Sequence, residues 1–192
     1  MEAARAAGAE PVELLVAGEN VEPALLAEVS TLAHPPRVAG VFRRGDLPRA
    51  PVPEIGLALW HVGDPGNVGT LIRSAAALGP AFVALSEGCA DATSPKALRA
   101  SMGALFRVPL LAFDDSPGRR VALVAHGGIP TSQLDLSGPT TFVLGAEREG
   151  LPESLLATCE ERATIPLTPG SESLNVATAG AIALYELSRR DG

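Results

Sequence analysis

The chain has 192 residues, 46% of them hydrophobic, with 20 glycines and 17 prolines, which fits a turn-rich globular protein of one ordinary domain and a small appendage. A net charge of −7 argues against a uniformly basic nucleic-acid surface, and with no uninterrupted apolar run of 18 residues a membrane-spanning helix is excluded. The two cysteines, Cys89 and Cys159, form no C-x-x-C pair, which argues against a disulfide framework or thiolate metal site and leaves each as a small buried hydrophobe.

The amino end, "MEAARAAGAEPVELL", carries acidic residues where a secretion signal has a basic head, so a cytoplasmic location is expected. Apolar runs predict strands at 12–18, 36–42, 55–62, 81–86, 108–113, 120–126, 140–145 and 163–167. Helical patterns fall between several of them, at 68–78, 95–103 and 152–159, and the longest, 173–190, closes the chain. Strand and helix in alternation predict an α/β fold with a mostly parallel sheet covered on both faces, because parallel neighbours need a crossover. Pro48, Pro51 and Pro53 stiffen a linker and place a boundary near residue 50. The front segment, 1–50, has two strands and one helix and is too small to bury its own core comfortably; residues 51–192 form the main domain.

Three stretches carry chemistry. In "HVGDPGNVGTLIRSAAALG", Gly63, Gly66 and Gly69 recur every third residue, which is not the G-x-G-x-x-G of a dinucleotide site. Asn67 reads as the N-cap of the helix that follows, Val68, Leu71, Ile72, Ala75 and Leu78 form its apolar stripe, and Arg73 lies on the opposite face. In "FVLGAEREGLPESLLATC", Gly145 and Gly150 have P-loop spacing, but Leu151 and Pro152 stand where a lysine and a hydroxyl residue are required. Glu147 then sits with bare backbone at a sheet's C-terminal edge, where open α/β sheets bind ligands. In "ATIPLTPGSESLNVATAGAIALYELSRR", a short strand holding Ile165 and Leu167 leads to a helix that Ser173 is placed to cap. Ala177, Ala179, Gly180, Ala181 and Ala183 suit a close helix approach, in the core or at a dimer interface. His34, His61 and His126 lack ligand spacing, so no metal site is expected. Arg37, Arg43, Arg44 and Arg49 gather with only Asp46 opposing, and from charge alone they read as solvated surface.

Together "NVGTLIRSAAALG", "FVLGAEREGLP" and "IPLTPGSESLNVATAGAIALYE" resemble the three ordered motifs of the SpoU (TrmH) branch of the SPOUT RNA methyltransferases, over roughly residues 55 to 190. "SPKALRASMGALFRVP" is similar to what that family carries between its first and second motifs. The resemblance implies a SPOUT-type domain with a C-terminal trefoil knot, pairing as a homodimer, without metal or membrane. It implies S-adenosylmethionine as cofactor, held by Ala125, His126, Gly145, Ile165, Leu167 and Leu174, and methyl transfer to a ribose 2′-hydroxyl. Arg73 matches the family's motif arginine, while Asn67, Glu147, Ser173 and Asn175 match its other polar motif positions. The front segment looks like a shortened L30e-like RNA-binding domain, closest in "STLAHPPRVAGVF". That favours ribosomal RNA over tRNA and gives Arg37, Arg43, Arg44 and Arg49 a role on phosphates. The alternative is an RNA-binding module of the same fold without methyl transfer; a doubly wound oxidoreductase or kinase lacks both glycine fingerprints.

Overall fold

The computed structural model describes residues 2–29, 35–147 and 149–189. His34, and Arg190 at the end of the expected last helix, lie outside the described residues. The chain divides into two compact units, Met1–Leu47 and Pro48–Gly192.

In the first unit α1 (Glu2–Ala6) precedes β1 (Glu13–Val16), α2 (Pro23–Val29) and β2 (Val38–Val41). The two strands are antiparallel, Glu13 opposite Val41 and Val16 opposite Val38. Asn20 pins the turn after β1: its Oδ1 accepts from Val16 N–H at 2.7 Å and its Nδ2 donates to the Leu14 carbonyl at 2.7 Å. The unit has one helix more than expected, because α1 is a single short alanine-rich turn with too few residues to show a period. Among the described residues its buried apolar side chains are Ala4, Ala9 and Leu26.

The second unit runs β3 (Ile55–Leu59), α3 (Pro65–Leu78), β4 (Phe82–Leu85), α4 (Pro95–Ser101), β5 (Leu110–Ala112), β6 (Arg119–Leu123), β7 (Ile129–Pro130), β8 (Thr140–Leu144), α5 (Glu153–Leu156), β9 (Glu161–Thr164) and α6 (Val176–Ser188). Its seven strands form one sheet in the order β5-β4-β3-β8-β6-β9-β7, and every pairing is parallel. All residues of β3 and β8 are buried, as expected of parallel strands covered on both faces. On one face Ala58, Phe82, Ala84 and Val143 pack with Phe113 and Leu155. On the other, Leu57 and Leu144 meet α6 at Gly180, where an added Cβ would run into Leu71 of α3 and lie 3.1 Å from Leu144 Cδ2. Three of the small residues of α6 are therefore occupied inside the chain: Ala177, Gly180 and Ala183 are buried on the side facing the core, while Ala179 and Ala181 are half-buried. Those three do not require a second copy.

One strand expectation is corrected, and one strand is not among those expected. The strand expected at 163–167 ends at Thr164, so Ile165 and Leu167 belong to the loop beyond it, where Pro166 interrupts any ladder. β7 has only two residues and is too short to leave a pattern. The helix expected at 152–159 is one turn, Glu153–Leu156.

α3 and α4 touch at Gly69, where a Cβ would collide with the Ala97 carbonyl oxygen and sit 2.7 Å from Ala100 Cβ. Backbone cannot yield there as a side chain can. Gly69→Ala gains about 1 kcal/mol of helix propensity but forces overpacking costing about 1–3 kcal/mol, so a net loss is expected. Urea unfolding checks this beside Gly63→Ala, which adds a methyl to a site with no atom within 4 Å and should leave the midpoint unchanged.

Candidate functional site

β3 and β8 lie side by side with Leu59 opposite Leu144, and Trp60 N–H extends the ladder by donating to the Leu144 carbonyl at 2.8 Å. The loops leaving the two strands thus begin at neighbouring points on the sheet's C-terminal edge. The first enters α3 through Asp64, whose Oδ1 accepts from Asn67 N–H at 3.0 Å, followed by Pro65 at the first helical position. Asp64, not Asn67, is the N-cap; a capping side chain satisfies the N–H three residues on, and Pro65 has none to lose.

Asn67 is thereby free to work with its side chain. Its Nδ2 donates to Glu147 Oε1 at 2.6 Å, and its Oδ1 accepts from Asn175 Nδ2 at 3.3 Å. Asn175 is itself the N-cap of α6, its Oδ1 accepting from Ala177 N–H at 2.9 Å and Thr178 N–H at 3.3 Å. The cap expected at Ser173 therefore falls two residues later. Asn67, Glu147 and Asn175, one from each motif stretch, form a single hydrogen-bonded chain.

Beside this chain, at the ends of β6, β8 and β9, opens a cavity of about 320 Å³. Ala125, Gly145, Ile165, Leu167 and Leu174 line it together with Glu147 and Ser173. His126 does not: it lines an adjoining hollow of about 330 Å³ that shares Ala125, Ile165 and Leu167. Gly145 is required for a reason internal to the chain, since a Cβ there would strike the Gly150 carbonyl group and lie 2.7 Å from Leu151 N. Gly150 N–H donates to the Ala146 carbonyl at 2.9 Å, and Gly150 takes φ +65°, closing the loop tightly. Arg73 is exposed, lies six residues beyond Asn67 and so about 9 Å further along the helix, and does not line the cavity.

The sequence profile of the SpoU rRNA methylase family matches residues 54–185. The chain belongs to the SpoU family. It is 35% identical over 176 residues to a 23S rRNA (uridine(2479)-2′-O)-methyltransferase of Streptomyces viridochromogenes, covering 81% of this chain and 61% of the relative. It is 33% identical over 188 residues to an uncharacterized tRNA/rRNA methyltransferase of Synechocystis, covering 92% of this chain and 67% of that protein. The crystal structure of the SpoU methyltransferase AviRb from Streptomyces viridochromogenes, in complex with AdoMet, superposes with a TM-score of 0.79 at 27% identity over 99% of this chain and 87% of that one. The chain thus spans about two thirds of the length of these two curated relatives.

Three residues of this SpoU chain's site escaped the sequence reading. Glu149 adds a second carboxylate to the cavity wall, and its only signal was its place in the same loop as Glu147. Asp64 and Lys96 form an ion pair at 2.6 Å that ties the start of α4 to the start of α3. Among the described residues no group of three or more His, Cys, Asp or Glu is placed to hold a metal ion, and no helix is long and apolar enough to cross a membrane. Both cysteines are partly buried, and burial pushes the Cys159 thiol upward, which keeps it protonated.

The hydrogen bond from Lys96, then that from Asn67 N–H, holds the Asp64 carboxyl below its ordinary value of 3.8. A depressed folded pKa contributes stability above the unfolded value that is lost as pH falls through the folded one. The stability difference between the parent and Lys96→Met should accordingly stay constant from pH 7 to about 4 and shrink below it. Urea midpoints measured across that range check the sign.

Proposed function

We propose that this chain transfers the methyl group of S-adenosylmethionine to a ribose 2′-hydroxyl of RNA, with ribosomal RNA favoured over tRNA. The observation that carries this reading is the hydrogen-bonded chain of Asn67, Glu147 and Asn175 at the rim of a cavity whose wall includes Ser173. The 2′-O chemistry and the ribosomal preference rest on the named activity of the Streptomyces relative.

The residues fit the cofactor. Leu174, Ile165 and Leu167 offer apolar surface to a nucleoside, and the adjoining hollow at His126 lengthens the space available. Glu147 and Glu149 bring negative charge to a wall that a sulfonium and an ammonium group would approach. When bound, S-adenosylmethionine supplies the electrophilic methyl carbon. Asn67 and Asn175 have both ends of the network engaged, so they hold Glu147 and the start of α6 in fixed orientation rather than moving a proton. As the ribose oxygen takes the methyl carbon, the sulfonium C–S bond breaks to leave S-adenosylhomocysteine and the hydroxyl proton passes to water. A guanidinium stabilises the negative charge developing on the oxygen while gripping the neighbouring phosphate. Arg73 is assigned that role.

In a single chain Arg73 stands away from the cavity, so the reading includes a homodimer in which Arg73 reaches the partner's site. It includes a C-terminal trefoil knot as well, supported by the insertion of β8 between β3 and β6 and of β9 between β6 and β7. The first unit is read as a shortened L30e-like RNA binder: Arg37, Arg43 and Arg44 flank β2, and they and Arg49, which lies at the start of the second unit, are exposed, as phosphate contacts require.

Arg73→Ala should slow single-turnover methylation of ribosomal RNA about a hundredfold or more, with S-adenosylhomocysteine affinity within threefold of the parent. Near-normal transfer would overturn the role. Co-expressing Arg73→Ala with Glu147→Ala tests the sharing of sites. If Arg73 serves its partner, half the dimers are mixed and each has one intact site, restoring about a quarter of parental activity. If Arg73 serves its own chain, nothing is restored.

A further inference from the structure

Lys96 is the only lysine among the chain's 15 basic residues. It stands in the first turn of α4, and its Nζ donates to Asp64 Oδ2 at 2.6 Å. The other oxygen of that carboxylate, Oδ1, accepts from Asn67 N–H at 3.0 Å. Both oxygens are therefore committed, one to each helix start. The pair is packed over Gly66, where a Cβ would lie 2.7 Å from Asp64 Oδ1 and 3.4 Å from Lys96 Cε. A side chain at residue 66 would push one member aside, so the glycine makes room for the pair.

The contacts continue without a break. From Lys96 they run through Asp64 to Asn67, from the Asn67 carboxamide to Glu147 Oε1 and to Asn175 Nδ2, and from Asn175 to the first N–H groups of α6. An exposed ion pair contributes little to stability. The side chains here are about half exposed, 57% for Lys96 and 44% for Asp64, so global stabilisation does not account for this arrangement. What it does is fix the carboxylate that sets the first turn of α3. A lysine ammonium suits this because it is a compact point charge able to approach one oxygen, whereas an arginine fork would compete for both.

We propose that Lys96 is a positioning residue for methyl transfer, holding Asp64 so that the Asn67 carboxamide stays between Glu147 and Asn175. This rests on the methyltransferase reading. Small displacements of positioning groups slow reactions by large factors, so the effect appears in rate and not in binding.

The test uses the full-length protein, S-adenosylmethionine and undermethylated total ribosomal RNA. Lys96→Met, which keeps the stem and removes the charge, should slow single-turnover transfer about tenfold or more, with S-adenosylhomocysteine and RNA affinities within threefold of the parent. Lys96→Arg should recover part of the rate. In the Asn67→Ala background, adding Lys96→Met should cost no more than about twofold, because the two residues act through one path. The side-chain amide resonances of Asn67 should also shift in Lys96→Met without any ligand. If Lys96 instead grips RNA phosphate, RNA affinity falls, its salt dependence weakens by about one unit of slope, the two losses multiply and the Asn67 resonances stay in place; that result overturns the proposal. A parent that binds S-adenosylhomocysteine and RNA but transfers no methyl refutes the methyltransferase reading itself, a failure distinguished from the first because the Asn67 resonances still respond to Lys96→Met.

Discussion

The site depends on one register: β8 enters the sheet directly beside β3, with Leu59 opposite Leu144, although 80 residues separate the loops that follow. Because parallel strands point their C-terminal ends the same way, the turn leaving β3 and the turn leaving β8 emerge next to each other. Asn67 and Glu147 come within 2.6 Å only through that adjacency. Leu57, Phe142 and Leu144, buried almost completely, hold the register, and a slip of one residue would exchange the two covered faces of β8.

Against that sheet the helices are seated where side chains are missing. Gly180 lets α6 settle on Leu71, Leu144 and Leu57, and Gly69 lets α4 reach α3. Both contacts act on α3 from different sides, so the first turn of that helix inherits its place from the core below and from α4 beside it. Asn175 then caps α6 and reaches Asn67 with the same side chain, which joins the packing of α6 to the geometry at the cavity.

Long apolar runs made β3, β4, β6 and β8 legible, because strands buried on both faces have no alternation to lose. α3 was legible from its apolar stripe and α6 from its length. The failures have local causes. Asn67 and Asp64 are both good caps, and the choice between them turned on Pro65, which favours the first helical position over an interior one. β9 was displaced toward Ile165 because "TIPL" is apolar, yet Pro166 cannot donate to a ladder and those apolar side chains line the cavity instead. The small residues of α6 suited either a core or a partner, and it is Leu71, 109 residues earlier and invisible to any spacing rule, that places Gly180 in the core. Glu147 gained a meaning from the motif, but its partner Asn67 is 80 residues away and no spacing rule connects them. Lys96 carries no sequence signal of its role because the carboxylate it meets lies 32 residues earlier.

The charge balance needs a similar distinction between total and place. By total charge alone, a chain of net charge −7 with Glu147 and Glu149 on its cavity is ill-suited to a polyanion. Two unit charges 10 Å apart in water interact by only about 0.4 kcal/mol, and at physiological salt the field is screened beyond about 8 Å. Acidic residues beyond that distance barely oppose a phosphate that an arginine touches directly. On the proposed reading the cavity remains acidic, favouring a cationic ligand, while the exposed Arg37, Arg43, Arg44 and Arg49 would meet RNA phosphates. Under this screening a total of 15 basic residues against 22 acidic ones does not by itself argue against that reading.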